Sequence, residues 1–131
     1  MREAQAGQGA PSFEAIDVRF IPKAEMRQPG WGDWWFENRV LHIRAINDEA
    51  ECNPFLVALH EIVEAALCSA EGVSGEDVDR FDLDFEAEGH NPDDEPGDDP
   101  RAPYRTQHRR ACLIEFLMAQ FMGLGDYGTM R

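Results

Sequence analysis

Residues 53–72 read NPFLVALHEIVEAALCSAEG, and this stretch predicts a helix at the centre of the fold. Asn53 can cap the free backbone amides of a helix, and Pro54 fits the first helical position. Gly72 suits the left-handed conformation that ends many helices. We therefore expect a helix from about Pro54 to Glu71. Its apolar residues surround the axis, which is typical of a buried helix: Phe55, Leu56, Val57, Leu59, Ile62, Val63, Ala65, Ala66 and Leu67.

The polar residues of this helix form an HExxE motif at His60, Glu61 and Glu64. Residues four apart share a helix face, so His60 and Glu64 can reach one point in space. Imidazole and carboxylate are both zinc ligands, and a catalytic zinc commonly takes three protein ligands and a water. In HExxH zinc hydrolases the glutamate after the first histidine is the general base, the role we predict for Glu61. Burying these charges is costly unless a metal, a partner or a cavity accompanies them.

The third ligand is predicted to be His108, on a helix that begins near Pro103 and ends near Gly123. On that helix His108 shares a face with Tyr104, Ala111, Cys112 and Glu115. His90, Asp82 and Asp99 compete with it, and His42 can instead hold a metal ligand in place or contact the substrate. Together, His60, Glu64 and His108 predict one Zn²⁺, or another first-row divalent cation, per chain. Tyr104 or an arginine of the last helix is predicted to stabilise an oxyanion.

Strand signals precede the central helix. From Phe13 to Ile21 the alternation predicts a strand with Ile16, Val18 and Phe20 facing the core. Residues 33–36 and 39–46 flank Glu37-Asn38 at the spacing of a β-hairpin. We expect three antiparallel strands, or a small meander.

Two further elements are predicted after the central helix. A short helix is expected after Ser74, with apolar contacts from Val78, Phe81, Leu83 and Phe85. An acidic loop over 86–100 leads to the last helix, whose predicted apolar stripe contains Leu113, Ile114, Leu117 and Phe121. The fold class is therefore α+β, with residues 1–12 as a flexible N-terminus and 13–131 as a single domain.

The charge of −14 is concentrated in one segment. Between Glu76 and Asp99 stand twelve acidic residues and one arginine. Nucleic-acid binding is disfavoured, whereas the acidic loop could attract a basic protein partner. No apolar stretch is long enough to cross a membrane, so we expect a cytoplasmic protein. The three cysteines have no CxxC spacing and are expected to be buried thiols.

Several stretches resemble a family of small uncharacterised proteins of bacteriophages and prophages. The resemblance implies one compact domain, in a protein encoded by a phage and made in a bacterial host cell. The matching stretches are residues 32–36, 41–44, 58–68, 79–82 and 98–104, together with His108.

The HExxE helix also resembles the active-site helix of zincin metallopeptidases, in which strands precede the helix and line the substrate cleft. That resemblance implies metal ligation by His60 and Glu64 and a zincin-like minimal domain. The chain has Glu64 where a histidine is usual.

Three functions follow from these observations. The first is a zinc-dependent hydrolase, with a metallopeptidase as the specific candidate, acting on an unknown peptide or small molecule. The second is a magnesium-dependent nucleotide pyrophosphohydrolase, for which Glu61 and Glu64 supply one ExxE half. The second carboxylate pair, an ExxD motif, is missing, because Met118 stands three residues after Glu115 where an aspartate is needed. The third is a non-enzymatic phage interaction protein with a structural metal.

Overall fold

A computed structural model describes residues 13–91 and 94–127 of the protein. The predicted flexible segment 1–12 lies outside the described residues. Three strands and three α-helices confirm the α+β class. They are β1 (Ala15–Ile21), β2 (Gly32–Glu37), β3 (Val40–Ile46), α1 (Pro54–Glu71), α2 (Gly75–Ala87) and α3 (Arg105–Phe121), with 3₁₀ turns at Lys23–Glu25 and Pro96–Asp98.

The sheet has the strand order β1-β3-β2 and is mixed. Strands β2 and β3 form the predicted hairpin, in which Asn38 and Arg39 have φ angles of 55° and 64°. Two left-handed residues at a two-residue turn are typical of a type I′ hairpin. Strand β1 pairs with β3 in parallel, so the prediction of an all-antiparallel sheet was wrong. The chain between Ile21 and Gly32 crosses to the far side of β3 before the hairpin begins, so that β3 lies between β1 and β2.

Helix α1 covers one face of the sheet. Leu41, Ile43 and Ala45 of β3 are fully buried against it. The predicted ends of α1 are confirmed: the Asn53 side chain accepts a hydrogen bond from Leu56 N at 3.1 Å, and Gly72 has φ 80°. Burial of this helix places its polar motif inside the protein.

Strand β1 carries apolar side chains that α1 does not cover. Ile16, Val18 and Phe20 pair in register with Leu41, Ile43 and Ala45, so they lie on the same face of the sheet as α1. They are nevertheless 37–46% exposed, because α1 packs over β2 and β3 and leaves the β1 edge open. The prediction that these three residues face the core was therefore wrong.

Helix α2 begins as predicted. The Ser74 side chain accepts a hydrogen bond from Asp77 N at 3.1 Å, and Val78 and Phe85 are buried. Leu83, predicted to make an apolar contact, is exposed. The helix continues through Ala87, so the predicted acidic loop begins two residues later than expected.

Helix α3 turns its predicted His108 face towards α1. Its buried residues are Gln107, His108, Ala111, Glu115 and Ala119. The predicted apolar stripe of Leu113, Ile114, Leu117 and Phe121 is exposed. Helix α3 faces α1 with small and polar side chains because the polar groups of α1 offer them partners. Within the described parts of the chain, no helix has both the length and the hydropathy of a membrane span.

Candidate metal centre

Three predicted ligands meet between α1 and α3. The distance from His60 Nε2 to Glu64 Oε2 is 3.2 Å, and from His60 Nε2 to His108 Nδ1 it is also 3.2 Å. His108 Nδ1 lies 2.9 Å from Glu64 Oε2. Donors bound tetrahedrally to one zinc ion lie about 3.3–3.6 Å apart, given zinc–ligand distances of about 2.0–2.2 Å. We call these three atoms the inner triangle, and a small outward shift would fit them around one ion.

Glu115 holds the other nitrogen of His60. Its Oε1 lies 2.8 Å from His60 Nδ1, and its Oε2 accepts a hydrogen bond from the Tyr127 hydroxyl. The Glu115 side chain is only 2% exposed. Carboxylates in this position fix the orientation of metal-ligating histidines and raise their basicity. Glu115 lies on the predicted His108 face of α3, but no part in the metal site was predicted for it.

Trp34 holds the other oxygen of Glu64. The indole Nε1 of Trp34 donates a hydrogen bond to Glu64 Oε1 at 2.8 Å. This leaves Oε2 of the same carboxylate for the inner triangle. This contact could not be predicted from the sequence, because β2 and α1 meet only in the folded protein.

The residues of the inner triangle shift one another's pKa values strongly. Burial lowers the pKa of His60, but hydrogen bonds with Cys112, Glu115 and Glu64 outweigh it and raise that pKa well above its usual range. Burial also opposes the ionised form of Glu64, yet hydrogen bonds with His108 and His60 lower the pKa of this carboxyl. A metal must displace protons from imidazole to bind, so uptake is expected to release protons and to weaken at low pH.

Glu61 lies against β2. A Cβ added at Gly32 would come within 2.7 Å of Glu61 Cγ and 2.8 Å of Glu61 Oε2. Glycine at this position therefore allows the strand to approach the glutamate closely. The general-base role of Glu61 stays a prediction.

Tyr104 is buried and bonded to Asp82. Its hydroxyl donates to Asp82 Oδ1 at 2.5 Å, and its ring lies edge-on to the His108 ring at 6.2 Å between centroids. Burial raises the pKa of Asp82 to about 7. The Asp82 carboxylate, a competing candidate for the third ligand, thus binds Tyr104 here. The oxyanion role of Tyr104 also stays a prediction.

The remaining candidates bind other partners. His90 is exposed, lies 2.7 Å from Glu88 Oε1 and stacks on the Phe85 ring. Asp99 accepts hydrogen bonds from Arg101. His42 stacks on Trp35 on the sheet face opposite α1, since it alternates in β3 with Leu41 and Ile43.

Comparisons of the chain with family models, curated proteins and solved structures find no match. The geometry of the site is therefore the evidence for the function.

Glu115→Gln is expected to weaken zinc binding about 10- to 100-fold, the usual effect of losing a carboxylate behind a ligating histidine. Glutamine keeps the size and an acceptor oxygen but removes the charge. Competition with a chromophoric chelator measures the affinity. Glu71→Gln is the matched control, because Glu71 also bridges α1 to α3, through Gln107 and Arg110 at the surface. Equal affinities of Glu115→Gln and the wild type would exclude this role.

Proposed function

We propose that the protein is a zinc-dependent hydrolase whose ion is held by His60 Nε2, Glu64 Oε2 and His108 Nδ1. The inner triangle carries this proposal, because its three donor atoms come from two helices and lie 2.9–3.2 Å apart. Zinc bound by three protein ligands lowers the pKa of its water to about 7 and polarises a substrate carbonyl.

The surrounding residues have distinct roles in this proposal. Glu115 orients the His60 ring, and Trp34 orients the Glu64 carboxylate, so the donors are positioned before the ion binds. Glu61 follows His60 directly in the chain and accepts the proton of the attacking water. We infer that the substrate is a peptide, by resemblance of the HExxE helix to that of the zincins.

The donor chemistry disfavours the magnesium-dependent alternative. Magnesium prefers oxygen ligands and octahedral geometry, whereas two of the three inner donors are imidazole nitrogens. Glu115, the acid considered for the second carboxylate pair, is bonded to His60 and Tyr127. These contacts favour a zinc site over a pair of carboxylate motifs around magnesium.

The test compares wild type with Glu61→Gln. We expect cleavage of a mixed peptide library by the wild type, inhibition by chelator, and a rate about 10²- to 10⁴-fold lower in Glu61→Gln, the usual contribution of a general base. Mass spectrometry identifies the products, and elemental analysis establishes that Glu61→Gln retains its zinc.

Two outcomes would contradict the proposal. Loss of zinc in Glu61→Gln would make this carboxylate a ligand and remove the general-base role. Magnesium-dependent release of nucleoside monophosphate from nucleoside triphosphates, assayed in parallel, would replace the zinc hydrolase with a pyrophosphohydrolase.

A further inference from the structure

The second nitrogen of His108 faces another set of donor atoms. His108 Nε2 lies 3.5 Å from Cys112 Sγ, 3.5 Å from Glu95 Oε1 and 3.5 Å from Asp98 Oδ1. Glu95 and Asp98 form one group with His108 that could hold a metal ion, and Cys112 forms another with His108 and His60. We call His108 Nε2 and these three atoms the outer cluster.

The spacing in the outer cluster differs from that of the inner triangle. Hydrogen bonds from N–H to oxygen are about 2.7–3.2 Å long, so the two carboxylate contacts exceed that range. Zinc binds nitrogen and oxygen at about 2.0–2.2 Å and sulfur at about 2.3 Å, which separates tetrahedral donors by about 3.3–3.6 Å. The two carboxylate distances of 3.5 Å therefore match donors around one cation, and Cys112 Sγ lies at hydrogen-bonding distance from the same nitrogen.

Two elements of the fold assemble the outer cluster. Cys112 lies one turn after His108 on α3. Glu95 directly precedes the Pro96–Asp98 turn, and Asp98 is its last residue. Buried Gly97 brings that turn onto the histidine, since a Cβ there would lie 2.4 Å from His108 Cγ. The His108 side chain is 4% exposed, whereas that of Asp98 is 51% exposed. An ion can therefore enter from the solvent side and meet a buried nitrogen.

We propose that the outer cluster is a second divalent-cation site that selects thiophilic ions such as Zn²⁺, Cd²⁺ or Co²⁺. Thiolate and imidazole favour these ions, while the two carboxylates supply negative charge. A neutral imidazole has one nitrogen lone pair, so His108 offers it either to the inner triangle or to the outer cluster. The two sites therefore compete for His108, and excess metal inhibits the proposed hydrolase.

Cobalt titration of the full chain tests this second site. A thiolate bound to Co²⁺ gives near-ultraviolet charge-transfer absorption, and only the outer cluster contains sulfur. In Glu64→Gln, which weakens the inner triangle, we expect this band to saturate at one equivalent of Co²⁺. It should disappear in Glu64→Gln/Cys112→Ser and persist in Glu64→Gln/Cys52→Ser, the matched cysteine control.

A surface variant provides an independent test. Glu95→Gln/Asp98→Asn, in the Glu64→Gln background, should weaken cobalt binding at the outer cluster by more than about 100-fold, the upper end of the loss when a residue behind a ligand is replaced. Cobalt binding without the band, or a band that survives Cys112→Ser, would overturn the proposal. A different result would contradict the proposed hydrolase: the Cys112→Ser variant, whose inner triangle is intact, would bind no cobalt.

Discussion

Glu64→Gln is expected to abolish tight zinc binding at the inner triangle. The substitution removes the only anionic donor of the three and replaces it with an amide, which is a poor zinc ligand. Trp34 can still donate its hydrogen bond to the amide oxygen, so the packing of α1 against β2 is preserved. Cys112→Ser removes the thiolate of the outer cluster. The effect of Glu64→Gln is therefore measured by comparing Cys112→Ser with Glu64→Gln/Cys112→Ser.

Thermal unfolding with and without zinc measures this effect. A ligand at about 1,000 times its dissociation constant stabilises the folded state by about 4 kcal/mol. The Cys112→Ser protein should show a stabilisation of this order, and Glu64→Gln/Cys112→Ser should lose it. Glu71→Gln, near the exposed end of α1, should respond to zinc like the parent. Full stabilisation of the Glu64→Gln variant by zinc would remove Glu64 from the ligand set.

His60→Leu is expected to destabilise the metal-free protein by about 3–5 kcal/mol, the cost of removing one partner from a buried ion pair. His60 contacts the carboxylates of both Glu64 and Glu115, and all three side chains are at most 6% exposed. Leucine offers neither carboxylate a hydrogen bond. Urea unfolding in the presence of chelator measures the free energy of unfolding.

A double variant separates this charge effect from a packing defect. His60→Leu/Glu115→Leu removes one of the stranded carboxylates together with the histidine, so it should be more stable than His60→Leu alone. A loss below about 1 kcal/mol in His60→Leu, within the range of exposed ion pairs, would contradict the burial described for this cluster.

Local signals in the sequence predicted local structure well. The Asn53 cap, Pro54 and the Gly72 terminus define α1 because capping depends on residues that are neighbours in the chain. The hairpin of β2 and β3 was predictable for the same reason. The partner of β1 was not predictable, because alternation identifies a strand but carries no information about the strand it pairs with.

In the candidate site, too, local spacing was predictable and contacts between distant parts of the chain were not. Helical spacing paired His60 with Glu64, and the shared face on α3 brought forward His108, which the structure places at the same point. Glu115 and Trp34 were missed as supporting residues because their contacts join distant parts of the chain. The apolar periodicity of α3 did not reveal which face packs inward, because the polar site between α1 and α3 determined that face.

The open edge at β1 affects the colloidal behaviour of the protein. An apolar outer strand is a surface on which copies of a chain can pair, and the net charge of −14 opposes their approach. That repulsion reaches about 10 Å at 0.1 M salt but only about 3 Å at 1 M. It also vanishes as the pH approaches the isoelectric point of about 4.5. Neutral buffers of low ionic strength therefore keep the molecules apart during metal titrations.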